Sequence, residues 1–374
     1  MGQAFDICIR GAGVVGRTAA LLLARAGLRV ALVAPPVPSG QADVRAYALN
    51  AASRGLLESV RAWPDAQHAT AVRRMQVWAE AGGAVEFDAV AERVRALAWV
   101  VDVPALEQRL QDAIGFQPLV ERVAQPVPAP LAVVCEGRAS RTRAEWGVEF
   151  DLTPYAQDAI ATRLQCEHAH GAVARQWFAA DGGILAFLPL DGEGGNSVAV
   201  VWSVAHGQSQ HWLQADEAGL AAALREASRG ALGALTVTAP RAAWPLVQAR
   251  ARRWCGAVAG VPGQSWVLAG DAAHAVHPLA GQGLNLGLAD AAALAQVLGG
   301  REGWRALSDQ RLLRRYERAR KTEVATAMLA MDGLQQLFTR GDAALKPLRA
   351  HGMNAFDRLV PLKGWVSRHA MGVA

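Results

Sequence analysis

The chain has 374 residues, of which 52% are hydrophobic and 19% charged, and a mean hydropathy of +0.12; these are the proportions of a folded protein with ample core and room for two lobes, not of a disordered chain. A net charge of +5 with a pI near 9.4 mildly favours anionic partners or an anionic membrane surface. It comes without the dense basic clustering of a nucleic-acid binder, so nucleic acid is excluded as a partner.

The N-terminal 33 residues read as one strand–helix–strand unit. Residues 5–9 are a short apolar strand, 17–26 a helix and 28–33 a second strand. Between the first strand and the helix stands Gly11-Ala12-Gly13-Val14-Val15-Gly16. In a G-x-G-x-x-G of this context Gly11 makes the tight turn, Gly13 lets a pyrophosphate approach the backbone, and Gly16 lets helix and strand pack closely. The second strand should then end in a carboxylate for the adenosine ribose, but Ala34-Pro35-Pro36 follow, and no acid appears before Asp43. Residues 45–61 are predicted to be helical. Residues 72–78 and 84–87 read as strands of a second lobe, and 104–114 as a helix with Leu106, Leu110 and Ile114 at helical spacing. A proline-rich piece, 125–130, precedes a strand at 131–135 and the turn Glu136-Gly137-Arg138.

Four strand-like stretches follow, 156–166, 173–178, 184–190 and 197–204, separated by turn signals such as Asp181-Gly182-Gly183 and Asp191-Gly192. They read as an antiparallel sheet suited to walling a substrate cavity. A helix at 216–228 and a strand at 235–238 lead to the most informative segment, 266–290. There an apolar strand stops at Gly270-Asp271, a loop rich in proline and glycine follows, and a helix opens near Gly283. The loop can bring backbone N–H groups to a flat polar ligand, and the helix N-terminus favours negative charge on it. Asp271, at the strand end, can accept hydrogen bonds from sugar-like hydroxyls. This is a way to hold a reduced flavin by its anionic edge.

His274 and His277 stand i, i+3 in this loop, but without a carboxylate or cysteine in a ligand pattern no metal site is expected. Several of the tryptophans (Trp177, Trp202, Trp244 and Trp266) either line an aromatic pocket or pack as ordinary core. The chain from about 285 onward is predicted to be mostly helical. Its basic stretch 311–321 reads as a solvated face with internal salt bridges, or as a surface for anionic lipid or a partner protein. Cys8, Cys135, Cys166 and Cys255 form no C-x-x-C pair and fit a reduced, cytoplasmic protein. No apolar run has the length of a membrane span, and no signal segment or internal repeat is visible.

The glycine loop and the 270–285 loop together resemble the FAD-dependent aromatic hydroxylases of the para-hydroxybenzoate hydroxylase type. More narrowly, the chain resembles the ubiquinone-biosynthesis hydroxylases, on Arg45-Ala46-Tyr47-Ala48-Leu49, on residues 313–320, and on closing segments at 348–353, 357–359, 361–363 and 368–372. The resemblance implies an α/β fold: a Rossmann-like FAD-binding domain built from 1–68, 99–150 and 240–300, an inserted antiparallel-sheet substrate domain from 69–98 and 151–239, and a helical region at 301–374. It implies ring hydroxylation, in which FAD reduced by NAD(P)H uses dioxygen to place one oxygen on an electron-rich phenol, here a prenylated one. By the same resemblance Gly11, Gly13, Gly16, Arg45, Gln108, Glu136 and Asp271 are expected on the phosphate, ribose and ribityl parts of FAD. Pro278 is expected beside the isoalloxazine ring, and Gly281, Gly283, Leu284 and Asn285 at its pyrimidine edge.

Three departures fall on the adenosine half: Ala34 in place of an acid, Glu136 where the family carries Asp, and a shortened stretch between Leu110 and Leu131 that leaves no room for a small β-meander. FAD is therefore expected to be held with a more open adenosine end. No residue is marked out as a catalytic acid or base. Two other readings stand beside this one: an accessory or assembly protein of the quinone pathway without turnover, and an FAD hydroxylase of a small soluble aromatic. Peripheral contact with the inner membrane, or with quinone-pathway proteins, fits the prenylated substrate and the amphipathic tail around Met353, Phe356, Leu359 and Trp365.

Overall fold

Short apolar runs buried on both faces build the first sheet, and that burial requires helices above and below it. The computed structural model describes residues 4–34, 43–79, 83–179, 181–276 and 282–339, with side chains to residue 329. Strands Ile7–Arg10, Val30–Val33, Val120–Val123, Leu131–Val134 and Ser265–Leu268 run parallel, and Cys255–Ala257 closes the far edge antiparallel. Across the sheet the order is 255–257, 265–268, 131–134, 7–10, 30–33, 120–123. Helix Val14–Arg25 packs between Val103–Gly115 and Gln282–Gly299. Helix Gln310–Thr339 lies against Gln282–Gly299 and presents Leu312, Leu313, Tyr316, Arg320 and Val324 to the core, at the three- and four-residue spacing of one buried stripe.

The second large sheet has nine strands. Phe150–Cys166, Ser197–Ala205, Ile184–Pro189 and Val173–Phe178 form the expected antiparallel block. Arg74–Ala79 then joins Val173–Phe178 in parallel, and Ala84–Asp88 follows it as a hairpin. On the other side Ala242–Ala251 pairs with Phe150–Cys166 through a bulge between Pro154 and Asp158, and carries the two-residue strand His274–Ala275 at its edge. Between the two lobes lies a three-stranded sheet, Ala46–Leu49, Ala98–Asp102 and Ala69–Val72.

The doubly wound FAD-type sheet with an inserted second sheet is thus the expected architecture, with local corrections. Residues 45–61 are not one helix. Ala46–Leu49 pairs as a strand, and Asn50 starts helix Ala51–Ser59 by accepting a hydrogen bond from the Ser53 N–H at 2.9 Å. The strand expected at 72–78 is two strands in two sheets, divided at Arg73, whose N–H donates to the Ala172 carbonyl. The boundary expected at 240 does not coincide with the sheets, because Ala242–Ala251 is committed to the nine-stranded one. Residues 116–130 carry the single strand Val120–Val123 and no hairpin, so the β-meander is missing as expected.

The glycines of residues 11–16 do different work. Gly11 has φ +108°, and a Cβ there would lie 2.4 Å from the Cys135 carbonyl oxygen; a Cβ on Gly16 would lie 1.9 Å from the Gly11 oxygen; one on Gly13 would meet nothing within 4 Å. Gly16→Ala is therefore expected to lower unfolding stability by about 3 kcal/mol or more in a urea titration, and Gly13→Ala to stay within about 1 kcal/mol of wild type.

Candidate functional site

The first sheet reverses its winding at Ile7–Arg10. The chain first builds outward through Val30–Val33 and Val120–Val123, then returns to the other side with Leu131–Val134 and Ser265–Leu268. Such a switch point opens a crevice at the carboxyl ends of the strands. Three loops meet there: Gly11 to Gly16 after the first strand, Cys135 to Gly137 after Leu131–Val134, and Gly270-Asp271 after Ser265–Leu268. They are stitched side by side, with Cys135 N–H donating to the Arg10 carbonyl at 2.7 Å and Ala269 N–H to the Val134 carbonyl at 3.0 Å.

Helix Val14–Arg25 begins at Gly13 with no side-chain cap and no acidic residue in its first turn, so its first N–H groups face the crevice uncompensated. Gly270 (φ +62°) and Gly287 bracket the Val15 side chain, whose Cγ2 would stand 3.3 Å and 2.8 Å from their added Cβ atoms. This wedge sets the distance between helix Val14–Arg25 and helix Gln282–Gly299.

Asp271 lies in the first turn of the short 3-10 segment Gly270–Ala272 and opens on the crevice. Its carboxyl has no hydrogen-bond partner among the described residues. Desolvation by the surrounding walls holds its pKa above the ordinary value, against the opposing pull of His274, Arg138 and Arg45. Here an acceptor stands ready for hydroxyl groups of a ligand. Arg45 reaches the same space and is clamped bidentately on Asp43, with Nε–Oδ1 at 2.8 Å and Nη2–Oδ2 at 2.5 Å; that bond raises its pKa further.

The loop carrying Asp271 is held from behind by a buried charge cluster. The Asp290 carboxylate, 0% exposed, accepts from the Gly270 N–H at 2.8 Å, faces His274 Nε2 at 2.7 Å through the same oxygen, and takes Arg320 Nε at 2.7 Å on the other. A carboxylate can only accept, so His274 Nε2 carries the proton. Burial pushes the Asp290 pKa up, but His274 and Arg320 outweigh it and the net shift is downward. Trp254 stacks on His274 with centroids 5.0 Å apart, and the Tyr316 hydroxyl donates to the Leu268 carbonyl at 2.9 Å. A buried guanidinium from helix Arg141–Glu145, just after the second loop, completes the frame: Arg143 donates to the Ala272 carbonyl at 3.1 Å and the Arg138 carbonyl at 2.7 Å.

Other expected contacts are placed differently. Glu136 turns away to start helix Arg141–Glu145, accepting from Ser140 Oγ (2.7 Å), Thr142 N–H (3.0 Å) and Thr142 Oγ1 (2.7 Å). The extra methylene relative to Asp gives it this reach. The Asn285 amide does not reach into the crevice as a ligand contact: it donates to the Ala48 carbonyl at 2.9 Å and accepts from Asn50 N–H and Ser53 Oγ at 3.0 and 2.7 Å, fastening the three-stranded sheet to helix Gln282–Gly299. Gln108 is exposed and donates to Asp112 within its own helix at 2.8 Å. Gly283 and Leu284 sit in the first turn of helix Gln282–Gly299. Pro278, Gly281 and His277, like the closing segments beyond 340, lie outside the described residues.

The charge cluster and Arg143 are the parts that sequence reasoning missed. The sequence presents His274 only as a candidate metal ligand, and Arg320 only as part of a basic stretch that is either a solvated face or a surface for anionic lipid or a partner protein. The signal for Arg143 was its spacing: it follows Glu136-Gly137 by six residues, with the helix-capping Ser140 between them. Among the described residues no cluster of histidine, cysteine or acidic side chains forms a metal site.

Beside the crevice lies a cavity of about 120 Å³ between the nine-stranded sheet and strand Ala46–Leu49. Its walls include Ala46, Ala48, Ala98, Ala161, Ala174 and Ala186. Arg45 and Tyr47 line it and also feel the charge of Asp271, so cavity and crevice adjoin there. Burial, ahead of the opposing pull of Arg45, raises the Tyr47 pKa and keeps the phenol a neutral donor. Of the tryptophans singled out by sequence only Trp244 lines this cavity; Trp177 stacks on Trp78 at 5.2 Å, Trp202 tilts against Trp212, and Trp266 is core.

The chain is similar to known proteins over nearly its whole length. Residues 106–332 match the model of the FAD binding domain family. The chain is 30% identical over 400 residues to 3-demethoxyubiquinol 3-hydroxylase of Escherichia coli, covering 99% of each chain. It is 29% identical to the mitochondrial ubiquinone biosynthesis monooxygenase COQ6 of Drosophila melanogaster, covering 98% of this chain and 90% of that protein. Among solved structures, p-nitrophenol 4-monooxygenase PnpA of Pseudomonas putida DLL-E4 superposes with a TM-score of 0.76 at 18% identity, covering 99% of both chains. PqsL of Pseudomonas aeruginosa, solved with 2-aminobenzoylacetate, gives 0.75 at 21% identity over 94% of this chain and 99% of that one.

Two predictions follow from the charges. Arg320→Leu leaves Asp290 buried with one partner fewer and is expected to cost about 3–5 kcal/mol in denaturant titration at neutral pH. Because the Asp290 pKa is lowered by folding, that stabilisation is present above the unfolded value of 3.8 and disappears only as pH falls through the lower folded value. Asp271 has the opposite sign: its raised pKa is a penalty on the folded state that grows as pH rises from 3.8 through the folded value. Asp271→Asn is expected to raise the melting temperature of the ligand-free protein at neutral pH but not at acid pH, and to weaken FAD about tenfold in a fluorescence titration.

Proposed function

The chain belongs to the FAD-binding family of the ubiquinone-biosynthesis hydroxylases, and from that membership we propose that it is an FAD-dependent monooxygenase that hydroxylates the ring of a polyprenylated phenol, with NAD(P)H as reductant. The observation that carries the cofactor assignment is the unpartnered Asp271 carboxyl facing the uncapped start of helix Val14–Arg25 across one crevice. A dinucleotide with a polyhydroxyl chain on one side and a pyrophosphate on the other matches that pair of groups. Gly13, with open space at its Cβ position, would let the pyrophosphate reach the helix N–H groups, and Asp271 would accept from the ribityl hydroxyls.

Bound there, FAD supplies the oxygen-transfer chemistry. The residues of the chain supply place and environment. The charge cluster at Asp290 fixes the Gly270-Asp271 turn. Arg45 brings positive charge to the junction of crevice and cavity. Tyr47, held neutral, can donate a hydrogen bond to a ring oxygen without carrying charge into an apolar space. The alanine-rich walls leave room for a ring and exclude water from it. Orientation of the ring is the chief service asked of this lobe, and no side chain stands out there as a general base.

The apolar lining supports a prenylated substrate over a small charged aromatic, because the titratable side chains on the cavity wall gather at Arg45, Tyr47 and Arg175. The Arg175 guanidinium is already spent on the carbonyls of His170 and Val173. A second reading, an accessory flavin-fold protein of the quinone pathway, is favoured by one observation, the full engagement of Glu136 in capping its own helix. Among the described residues no helix is long and apolar enough to cross a membrane; a prenylated substrate would itself bring the protein to a membrane surface, where we propose peripheral contact.

Substrate-dependent turnover separates the readings. With FAD bound, NAD(P)H consumption is expected to rise at least about tenfold on adding a short-chain prenylated phenol, with one hydroxyl added per NAD(P)H, and to respond far less to an unprenylated phenol. Absence of hydroxylated product from FAD-loaded protein with either phenol would overturn the hydroxylase reading and favour the accessory one.

A further inference from the structure

The cavity floor has a regular construction. Ala161, Val201, Ala186 and Gln176 face one another in register across four adjacent strands, and the next row towards the crevice side contains Ala159, Ser203, Ile184 and Phe178. Side chains two apart along a strand share a face, so these two rows lie on the same side of the sheet. In that mostly small and apolar floor, Gln176 and Ser203 are the uncharged polar side chains. Ser203 is 3% exposed. Neither its hydroxyl nor the Gln176 amide has a hydrogen-bond partner among the described residues, and neither atom group is sealed off from the cavity. Gln176 is half-buried; a hydroxyl walled in as that of Ser203 is costs stability unless something in the cavity pairs with it.

We propose that Gln176 and Ser203 are the specificity pair of the substrate cavity, reading two oxygen substituents on opposite sides of the substrate ring. This rests on the proposed function above and goes beyond it by assigning the residues that choose among rings. The two side chains rise from strands Val173–Phe178 and Ser197–Ala205, with Ile184–Pro189 between them and one row of offset, so their backbones stand roughly 12 Å apart. Ala186 lies directly beside Gln176 and leaves the floor open where a ring would rest. A substituted ring lying over Ala186 would present one oxygen to each side. The Gln176 amide can donate to, or accept from, a hydroxyl or methoxy oxygen, and the Ser203 hydroxyl can do the same. A ring lacking those oxygens would leave the buried Ser203 hydroxyl dry and unpaired and would cover Gln176 without pairing it, so the pair rejects it by more than it attracts the right one.

The test uses the full chain loaded with FAD and follows the flavin spectrum during titration with two probes: a short-chain prenylated methoxyphenol, and the same prenylated ring without its oxygens. Wild type is expected to bind the oxygenated probe at least about tenfold more tightly. Gln176→Leu and Ser203→Ala are each expected to reduce that preference about tenfold while changing affinity for the oxygen-free probe less than about twofold; Ser203→Thr, which keeps the hydroxyl, is expected to retain the preference. Variants that hold FAD and discriminate as wild type does would overturn the proposal and leave the function standing. Wild type that holds FAD but binds neither probe would instead sink the assignment of this cavity to a prenylated phenol, and the specificity pair with it.

Discussion

A single carboxylate, Asp290, organises the functional end of this protein. It is fully buried, and it joins three segments distant in sequence: the turn at Gly270, the edge strand at His274, and the long helix at Arg320. A lone carboxylate in such a place would be expelled or protonated. With a backbone N–H, an imidazole and a guanidinium supplied together it stays ionised, and in return it dictates where each of them sits. Leu268, Ala269 and Gly270 are thereby held at the mouth of the first sheet, with Tyr316 closing the Leu268 carbonyl from the side. Asp271 is the next residue, and its exposure to the crevice follows from the burial of its neighbours.

The same arrangement explains the division of charge at the site. Some groups at the crevice stand without side-chain partners among the described residues, while others, Arg45 on Asp43 included, are engaged. Asp271 and the first N–H groups of helix Val14–Arg25 belong to the former kind; Asp290, Arg143, Glu136 and Asn285 belong to the latter. The Val15 side chain, wedged between Gly270 and Gly287, transmits the spacing from one side of the crevice to the other. The cavity in the neighbouring lobe repeats the pattern on an apolar ground, with unpaired Gln176 and Ser203 set among alanines.

Much of the frame could be read in the sequence because its signals are local. The strand–glycine–helix unit at residues 5–33, the turns separating the four antiparallel strands, and the glycine-bounded end of the 265–268 strand each declare themselves within a few residues. What could not be read is decided at long range. Ala46–Leu49 has the composition of a helix and becomes a strand because Ala98–Asp102 pairs with it. Ala242–Ala251 is claimed by Phe150–Cys166, almost a hundred residues earlier. Arg320 looks like one of many solvated arginines until helix packing turns it towards Asp290, thirty positions away. The site residues split the same way: glycines identified by spacing stand where the spacing put them, whereas Glu136, Asn285 and Gln108 have found protein partners that no short motif encodes. On the adenosine side Ala34 follows the strand Val30–Val33 and residues 116–130 hold the single strand Val120–Val123, the two features from which weaker or more open binding of that end is expected.

We propose that this crevice takes a flavin dinucleotide, with its ribityl chain at the Gly270-Asp271 turn and its pyrophosphate at the start of helix Val14–Arg25. Equilibrium titration of flavin-stripped protein with FAD, and in parallel with FMN and riboflavin, tests it most directly. The account predicts one FAD per chain, with FMN and riboflavin bound progressively more weakly as the pyrophosphate and then the phosphate are removed. Failure to bind FAD, or equal affinity for all three, would contradict it.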